Sequence, residues 1–216
     1  MRVRDKMSVR VIVISPDASI EEAYKLMRER NVRRLPVIER GKMIGMITRS
    51  DIYRAAPSSV VPMQERQQTQ VMAKTKVRDV LPANQQLVTI NQDAYIEQAA
   101  KIMSENKLSG LPVVDDDGKL IGIISVVDIL NSLLEMLGVN SRGTRINLKV
   151  KDDPEVIRNI ADIMCRHNEV IENIVQLDSD DDSNLLIVRI NSVDNKEILD
   201  ELKAAGYIIE SIIVKH

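Results

Sequence analysis

The sequence predicts a chain of mixed α+β and α/β class, in which a duplicated β-α-β-β-α unit is followed by a β-α-β-β-α-β unit. Three observations carry this. Two stretches repeat one another across the first two thirds of the chain; each copy alternates β-branched segments with an amphipathic run; and after Gly138 a new alternation begins that matches neither copy.

The first copy opens with residues 9–14, β-branched enough for a strand. Ser19 and Glu22 form an S-x-x-E capping box, and Ile20, Ala23, Leu26 and Met27 share a helical face, so a helix of about three turns follows. Residues 35–38 and 43–48 flank a Gly41 turn and read as a hairpin, after which Ser50-Asp51 opens a second helix. The second copy repeats these parts: Asp17-Ala18-Ser19-Ile20 returns as Asp93-Ala94-Tyr95-Ile96, Leu35-Pro36-Val37 as Leu111-Pro112-Val113, and Gly41-Lys42-Met43-Ile44-Gly45 as Gly118-Lys119-Leu120-Ile121-Gly122. Val3-Arg4-Asp5 recurs as Val77-Arg78-Asp79. A unit of about sixty residues is marginal alone, so the copies are expected to pack together. The boundaries are 1–58 and 77–138, with 59–76, rich in Gln and carrying Pro62, as an exposed, mobile linker with one helical turn.

In the remainder, 139–216, residues 144–150 are strand-like and Asp153-Pro154 caps a helix with Pro at its first position. Val156, Ile160, Ile163 and Met164 recur at helical spacing, and residues 170–177 and 185–190 are strands around an acidic loop. A helix from Asp194, boxed by Glu197, ends at Gly206 before a last strand over 207–214. This order is the ferredoxin-like arrangement.

Composition narrows the function. Hydrophobic residues make up 44% of the chain, enough for a core, but aromatics only 2%, with no Trp or Phe, so stacking platforms for single-stranded nucleic acid are excluded. Thirty Lys and Arg against 32 Asp and Glu give a net charge of -2, unlike a phosphate-backbone binder. The longest apolar stretch, residues 120–127, is broken by Gly122 and Ser125 and falls far short of the ~20 residues that span a bilayer. No apolar run follows Arg2, Arg4 and Lys6, and the single Cys165 cannot form an internal disulfide, so a cytoplasmic location is expected.

The most informative segment is Gly45-Met46-Ile47-Thr48-Arg49-Ser50-Asp51, where an apolar strand runs straight into two hydroxyls and a carboxylate at a helix start. Such a terminus offers free N–H groups and a positive dipole end to a phosphate, and the Thr48 and Ser50 hydroxyls can donate to phosphate or ribose oxygens. Asp51 can accept both hydroxyls of a ribose. The constellation describes a nucleoside phosphate site; Ser50 and Asp51 serve equally well as plain helix caps.

On these residues the two copies resemble CBS domains, a tandem pair forming one module: Gly45 to Asp51 matches the family's G-h-h-T/S-x-S/T-D pattern, and each copy has its apolar-Pro-apolar element. The resemblance implies that Asp51 binds ribose and that Thr48 and Ser50 approach ribose or phosphate. The second copy keeps Ser125 and Asp128 but has Val127 at the second hydroxyl, which implies one complete site and one incomplete one. It implies also that Arg33 and Arg34, before Leu35-Pro36, reach ligand phosphates, a task suited to guanidinium, and that Ile14, Ser15, Pro36 and Val37 line the base. The C-terminal unit resembles an ACT domain, and the whole order, with Ala55-Ala56-Pro57-Ser58-Ser59, is similar to AcuB-type proteins of acetoin utilisation; Glu155 stands where an ACT amino-acid site usually has Gly.

Other signals are set aside. Residues 178–184 resemble the opening of a calcium loop, but Ser183 replaces the required Gly and Arg189 the closing Glu. His167 and His216 have no Cys or carboxylate at ligand spacing, no metal site is expected, and Cys165, beside Ile163 and Met164, reads as a packed thiol. No phosphate loop, dinucleotide fingerprint or nucleophile elbow is present, so no catalysis is expected. The expected function is regulatory binding of an adenine nucleotide (AMP, ADP or ATP) between the copies, with no catalytic cofactor and no nucleic-acid or membrane partner. The resemblance implies a homodimer. Alternatives are a sensor of cyclic di-AMP or S-adenosylmethionine, or a ligand-independent scaffold that dimerises and docks on a partner enzyme.

Overall fold

A computed structural model of the chain describes residues 1–55, 71–82, 85–178 and 183–216, which divide into two compact units, Met1–Leu130 and Asn131–His216.

The first unit begins with a 3-10 turn at Val3–Asp5. The first copy then runs α1 (Ile20–Glu29), β1 (Arg34–Glu39), β2 (Lys42–Thr48) and α2 (Arg49–Ala55). The second runs α3 (Val77–Val80), β3 (Ile90–Asn91), α4 (Ile96–Glu105), β4 (Gly110–Val114), β5 (Leu120–Ser125) and α5 (Val126–Met136), a helix that continues past Leu130, the last residue of the first unit. The expected box starts α1: Glu22 N–H donates to Ser19 Oγ at 3.1 Å and Ser19 N–H to Glu22 Oε2 at 2.8 Å. Ile20, Ala23 and Met27 are buried on its inner face. The β1–β2 hairpin turns through Arg40 (φ 50) and Gly41 (φ 81), the two positive φ values that a two-residue turn matched to strand twist demands.

The strand expected over residues 9–14 does not form. Only Ile14 pairs, as a parallel bridge to Val37, while Val9 and Val13 stay 67% and 42% exposed. β-Branched residues favour a strand only where another strand covers them, and here none does. The matching strand of the second copy, β3, has two residues, parallel to β4. α2 starts at Arg49, so Thr48 and not Ser50 is its cap. The exposure and mobility expected of residues 59–70 lie outside the described residues; 71–74 form one helical turn.

The two Val-Arg-Asp segments each dock on the other copy. Val3 N–H donates to Ala94 O at 2.9 Å and Arg4 N–H to Gln92 O at 3.0 Å, while Val77 N–H donates to Ala18 O at 2.9 Å and Arg78 N–H to Pro16 O at 3.0 Å. Arg2 and Arg4 pair with Asp93; Lys76 and Arg78 pair with its repeat counterpart Asp17. Val3 and Val77 are fully buried, and Val77 belongs to the core of the first copy with Ile20, Leu35 and Ile47. The exchange continues into the hairpins. A Cβ on Gly45 would lie 2.9 Å from Leu81 Cδ2, and one on Gly122 would lie 2.5 Å from Met7 Sδ, so the motif glycines let the exchanged segments approach β2 and β5.

The second unit contains β6 (Gly143–Lys151), α6 (Val156–Arg166), β7 (Ile171–Leu177), β8 (Ser183–Ile190), α7 (Lys196–Ala204) and β9 (Ile208–Lys215). Its sheet has the order β7-β8-β6-β9 with every neighbour antiparallel. Alternate residues Ile146, Leu148 and Val150 of β6 and Leu186, Val188 and Ile190 of β8 meet Ile160 and Met164 of α6 and Ile198 and Leu202 of α7 in one core. Both helices begin two residues later than expected. Asp153 Oδ1 takes the Glu155 N–H at 2.8 Å in a turn, leaving Pro154 outside α6, and the cap of α7 is Asn195, whose amide donates to Thr144 Oγ1 at 2.8 Å. Cys165 is exposed, not packed, because one helical step past buried Met164 turns outward. Residues 179–182 of the acidic loop lie outside the described residues.

If each copy is completed by the other's leading segment, Val3→Ala and Val77→Ala should each cost about 1–3 kcal/mol by urea denaturation, within one transition for the first unit. A cost under about 0.5 kcal/mol for either would contradict the exchange.

Candidate functional site

The Gly45–Asp51 motif places β2, the turn into α2 and the first turn of α2 around one carboxylate. Thr48 N–H and Thr48 Oγ1–H both donate to Asp51 Oδ2, at 2.8 and 2.6 Å, and Asp51 N–H returns to Thr48 Oγ1 at 3.3 Å. This is a capping box with Asp in the Glu position, so the motif that resembles a nucleotide site also starts a helix. The other oxygen, Oδ1, accepts from Arg54, one turn on and on the surface. Asp51 is buried. Burial is the largest influence on its carboxyl and raises its pKa; the hydrogen bonds from Thr48 and Arg54 together outweigh it and hold the group below its ordinary value.

The second copy repeats this box without change. Ser125 N–H and Oγ–H donate to Asp128 Oδ2 at 2.8 and 2.6 Å, and Asp128 N–H returns at 3.3 Å. Ser50 and its counterpart Val127 are both exposed, so loss of the second hydroxyl does not touch the box.

A cavity of about 140 Å³ lies between the copies, lined by Arg34, Met46 and Thr48 from the first and by Gln85, Val88, Gly110 and Pro112 from the second. Arg34, half-buried, pairs across the hairpin with Thr48 and donates to Ser109 Oγ at 2.6 Å; burial pushes its guanidinium pKa down from the ordinary value. Arg33 is exposed, and its carbonyl accepts the Arg49 N–H at 3.1 Å. Ile14 and Val37 are core residues, Pro36 is buried in β1, and Ser15 is on the surface with its Oγ on the Asp17 N–H. Thus the structure gathers Thr48, Asp51 and Arg34, and places Arg33, Ser15 and Ser50 outward.

Two neighbours of the site were not singled out from sequence. Arg54 was legible as the i+3 partner of Asp51. Gln85, whose carboxamide bonds both backbone groups of Met46, left no local signal. A larger cavity, about 630 Å³, lies in the second unit beside Lys151, Asp153, Asn159 and Tyr207, at the loop from β6 into α6 where Glu155 stands. His167, without a carboxylate at ligand spacing in sequence, meets Glu201 at 2.6 Å because α6 and α7 pack side by side. No helix among the described residues is long and apolar enough to cross a membrane.

Comparison with known proteins fits this geometry. The family model described as CBS domain matches residues 3–58 and 77–135. Inosine-5'-monophosphate dehydrogenase of Korarchaeum cryptofilum is 34% identical over 119 residues, covering 55% of this chain but only 21% of the dehydrogenase. The chain therefore matches about a fifth of that enzyme's length. The CBS domain-containing protein YhcV of Bacillus subtilis is 30% identical over 145 residues, 67% of this chain and 94% of YhcV. Among solved structures, CBSX2 of Arabidopsis thaliana in complex with AMP is 27% identical, covers 62% of this chain and 97% of its own, and superposes with a TM-score of 0.51.

The depressed Asp51 carboxyl sets a pH dependence. The unfolded chain takes up this proton near the ordinary pKa of about 3.9 and the folded chain only below it, so the stabilisation is complete above that value and is lost as pH falls through the folded one. Urea denaturation from about pH 5 to about pH 2 should show a shallower loss of stability in Asp51→Asn than in the parent chain. Parallel profiles would contradict this role of the carboxylate.

Proposed function

The chain belongs to the CBS-domain family, and on that premise we propose that it is a regulatory protein that binds an adenine nucleotide in the cleft between its two copies, with no reaction of its own. The observation that carries this reading is the buried Asp51 carboxylate, bonded to Thr48, which together with the half-buried Arg34 lines the cavity between the copies. A ribose donating its hydroxyls to Asp51 would replace the exposed Arg54, while Arg34 offers a charge to phosphate. The AMP-bound CBSX2 supports the ligand class. The dehydrogenase match gives no reason to assign its reaction here, since it covers so small a part of that enzyme.

Residues 139–216 act in this proposal as an ACT-type, ferredoxin-like unit of an AcuB-type protein, a reading supported by two helices over one face of an antiparallel sheet in the order β7-β8-β6-β9. With Glu155 in place of Gly, its role is pairing between copies of the chain or docking on a partner enzyme. A specific observation favours such a pairing role: β9 is an edge strand with Ile208 and Ile213 61% and 55% exposed. The scaffold reading rests on the same feature, and nucleotide binding separates the two.

Thermal unfolding with AMP, ADP, ATP, S-adenosylmethionine and cyclic di-AMP tests the proposal. At about 100 times Kd a binding nucleotide stabilises the fold by about 2.7 kcal/mol. Asp51→Ala should abolish that shift while the variant still unfolds cooperatively. A flat response of the parent chain to every compound would favour the scaffold.

A further inference from the structure

Resting on the nucleotide reading above, we infer that the Gln85 carboxamide is a removable plug on the base-binding edge of the first-copy site, and that the ligand's base binds by displacing it. The edge originates in Pro36. Pro36 pairs with Met46 in the β1–β2 hairpin, and a proline has no N–H to give. The pair is therefore of the kind that exchanges no hydrogen bonds, and the Met46 N–H and C=O point away from β1, to the open side of β2.

Gln85 answers both groups. Met46 N–H donates to Gln85 Oε1 at 2.7 Å, and Gln85 Nε2 donates to Met46 O at 3.0 Å. A primary carboxamide and an adenine edge present the same neighbouring pair, an amino donor and an acceptor, so each can satisfy the same backbone residue. Two residues along β2, about 7 Å away, Thr48 sends its N–H from the same side to Asp51. The open side of β2 thus runs from groups that fit a base to a carboxylate that fits ribose hydroxyls, in the order a nucleoside requires. The cavity as it stands, about 140 Å³, is below the ~300 Å³ at which ligand sites begin, and Gln85 is among its lining residues, so turning that side chain out enlarges it.

The second copy closes the equivalent edge by other means. Ile123, opposite Pro112, exchanges both hydrogen bonds with the backbone of Ser8, at 2.9 and 3.0 Å. That main-chain bridge cannot open without moving the segment that carries the exchanged Val3. A side chain leaves by rotation alone. The first copy is gated, and the second is sealed.

Calorimetric titration of the full chain with AMP and with ribose 5-phosphate, which has no base, tests this. If Gln85 holds the site closed, apparent affinity is lowered by the closed fraction, and Gln85→Ala should bind AMP about tenfold more tightly, with ribose 5-phosphate unchanged. Gln85→Met, which keeps the packed stem and removes the carboxamide, should behave alike. AMP binding detected only in these two variants would also support the plug. If the parent chain binds AMP and both variants bind it equally or more weakly, the plug is overturned and the nucleotide site stands. A gain for both ligands alike would overturn the base-edge assignment. If neither the parent nor the variants bind AMP, both readings fail.

Discussion

The exchange of leading segments between the copies is the constraint on which the first unit depends. Neither copy completes its own core: the first receives Val77 and the second receives Val3, and each insertion is fixed by backbone hydrogen bonds at repeat-equivalent positions. The two copies form one compact unit in which each supplies apolar surface that the other lacks. The motif glycines belong to the same device, since a side chain at Gly45 or Gly122 would meet the incoming Leu81 or Met7.

That construction places the proposed site on a seam and not within a copy. Thr48 and Asp51 come from the first copy, while Gln85 belongs to the stretch that follows the exchanged α3 and leads into β3. A ligand that moves Gln85 acts directly on the connection between the copies. Coupling of this kind needs differential affinity for two arrangements, and the carboxamide supplies the second arrangement by competing for the same backbone groups.

Local features were legible in the sequence. The Ser19–Glu22 box, the Arg40-Gly41 turn and the helix that ends before Gly206 depend on residues within one turn of each other, and the structure has all three. The doubled Val-Arg-Asp segment was visible as a repeat, but that each docks on the other copy depends on contacts far apart in the chain. Residues 9–14 had strand propensity and no strand to pair with. Asn195 rather than Asp194 caps α7 because Asn195 is drawn to Thr144, some fifty residues away in sequence. At the site, Thr48 and Asp51 were legible as a motif, but their mutual bonding as a capping box gives them a structural duty as well. Gln85 was not legible, because its meaning arises only opposite Pro36 and Met46.

The most direct measurement is a crystal structure of the chain grown with AMP. The expected result has the base hydrogen-bonded to the Met46 N–H and C=O, the ribose hydroxyls on Asp51 with Arg54 released, and the Gln85 side chain turned out of the cleft. AMP bound elsewhere, or bound in the cleft while Gln85 still bridges both backbone groups of Met46, would contradict the account.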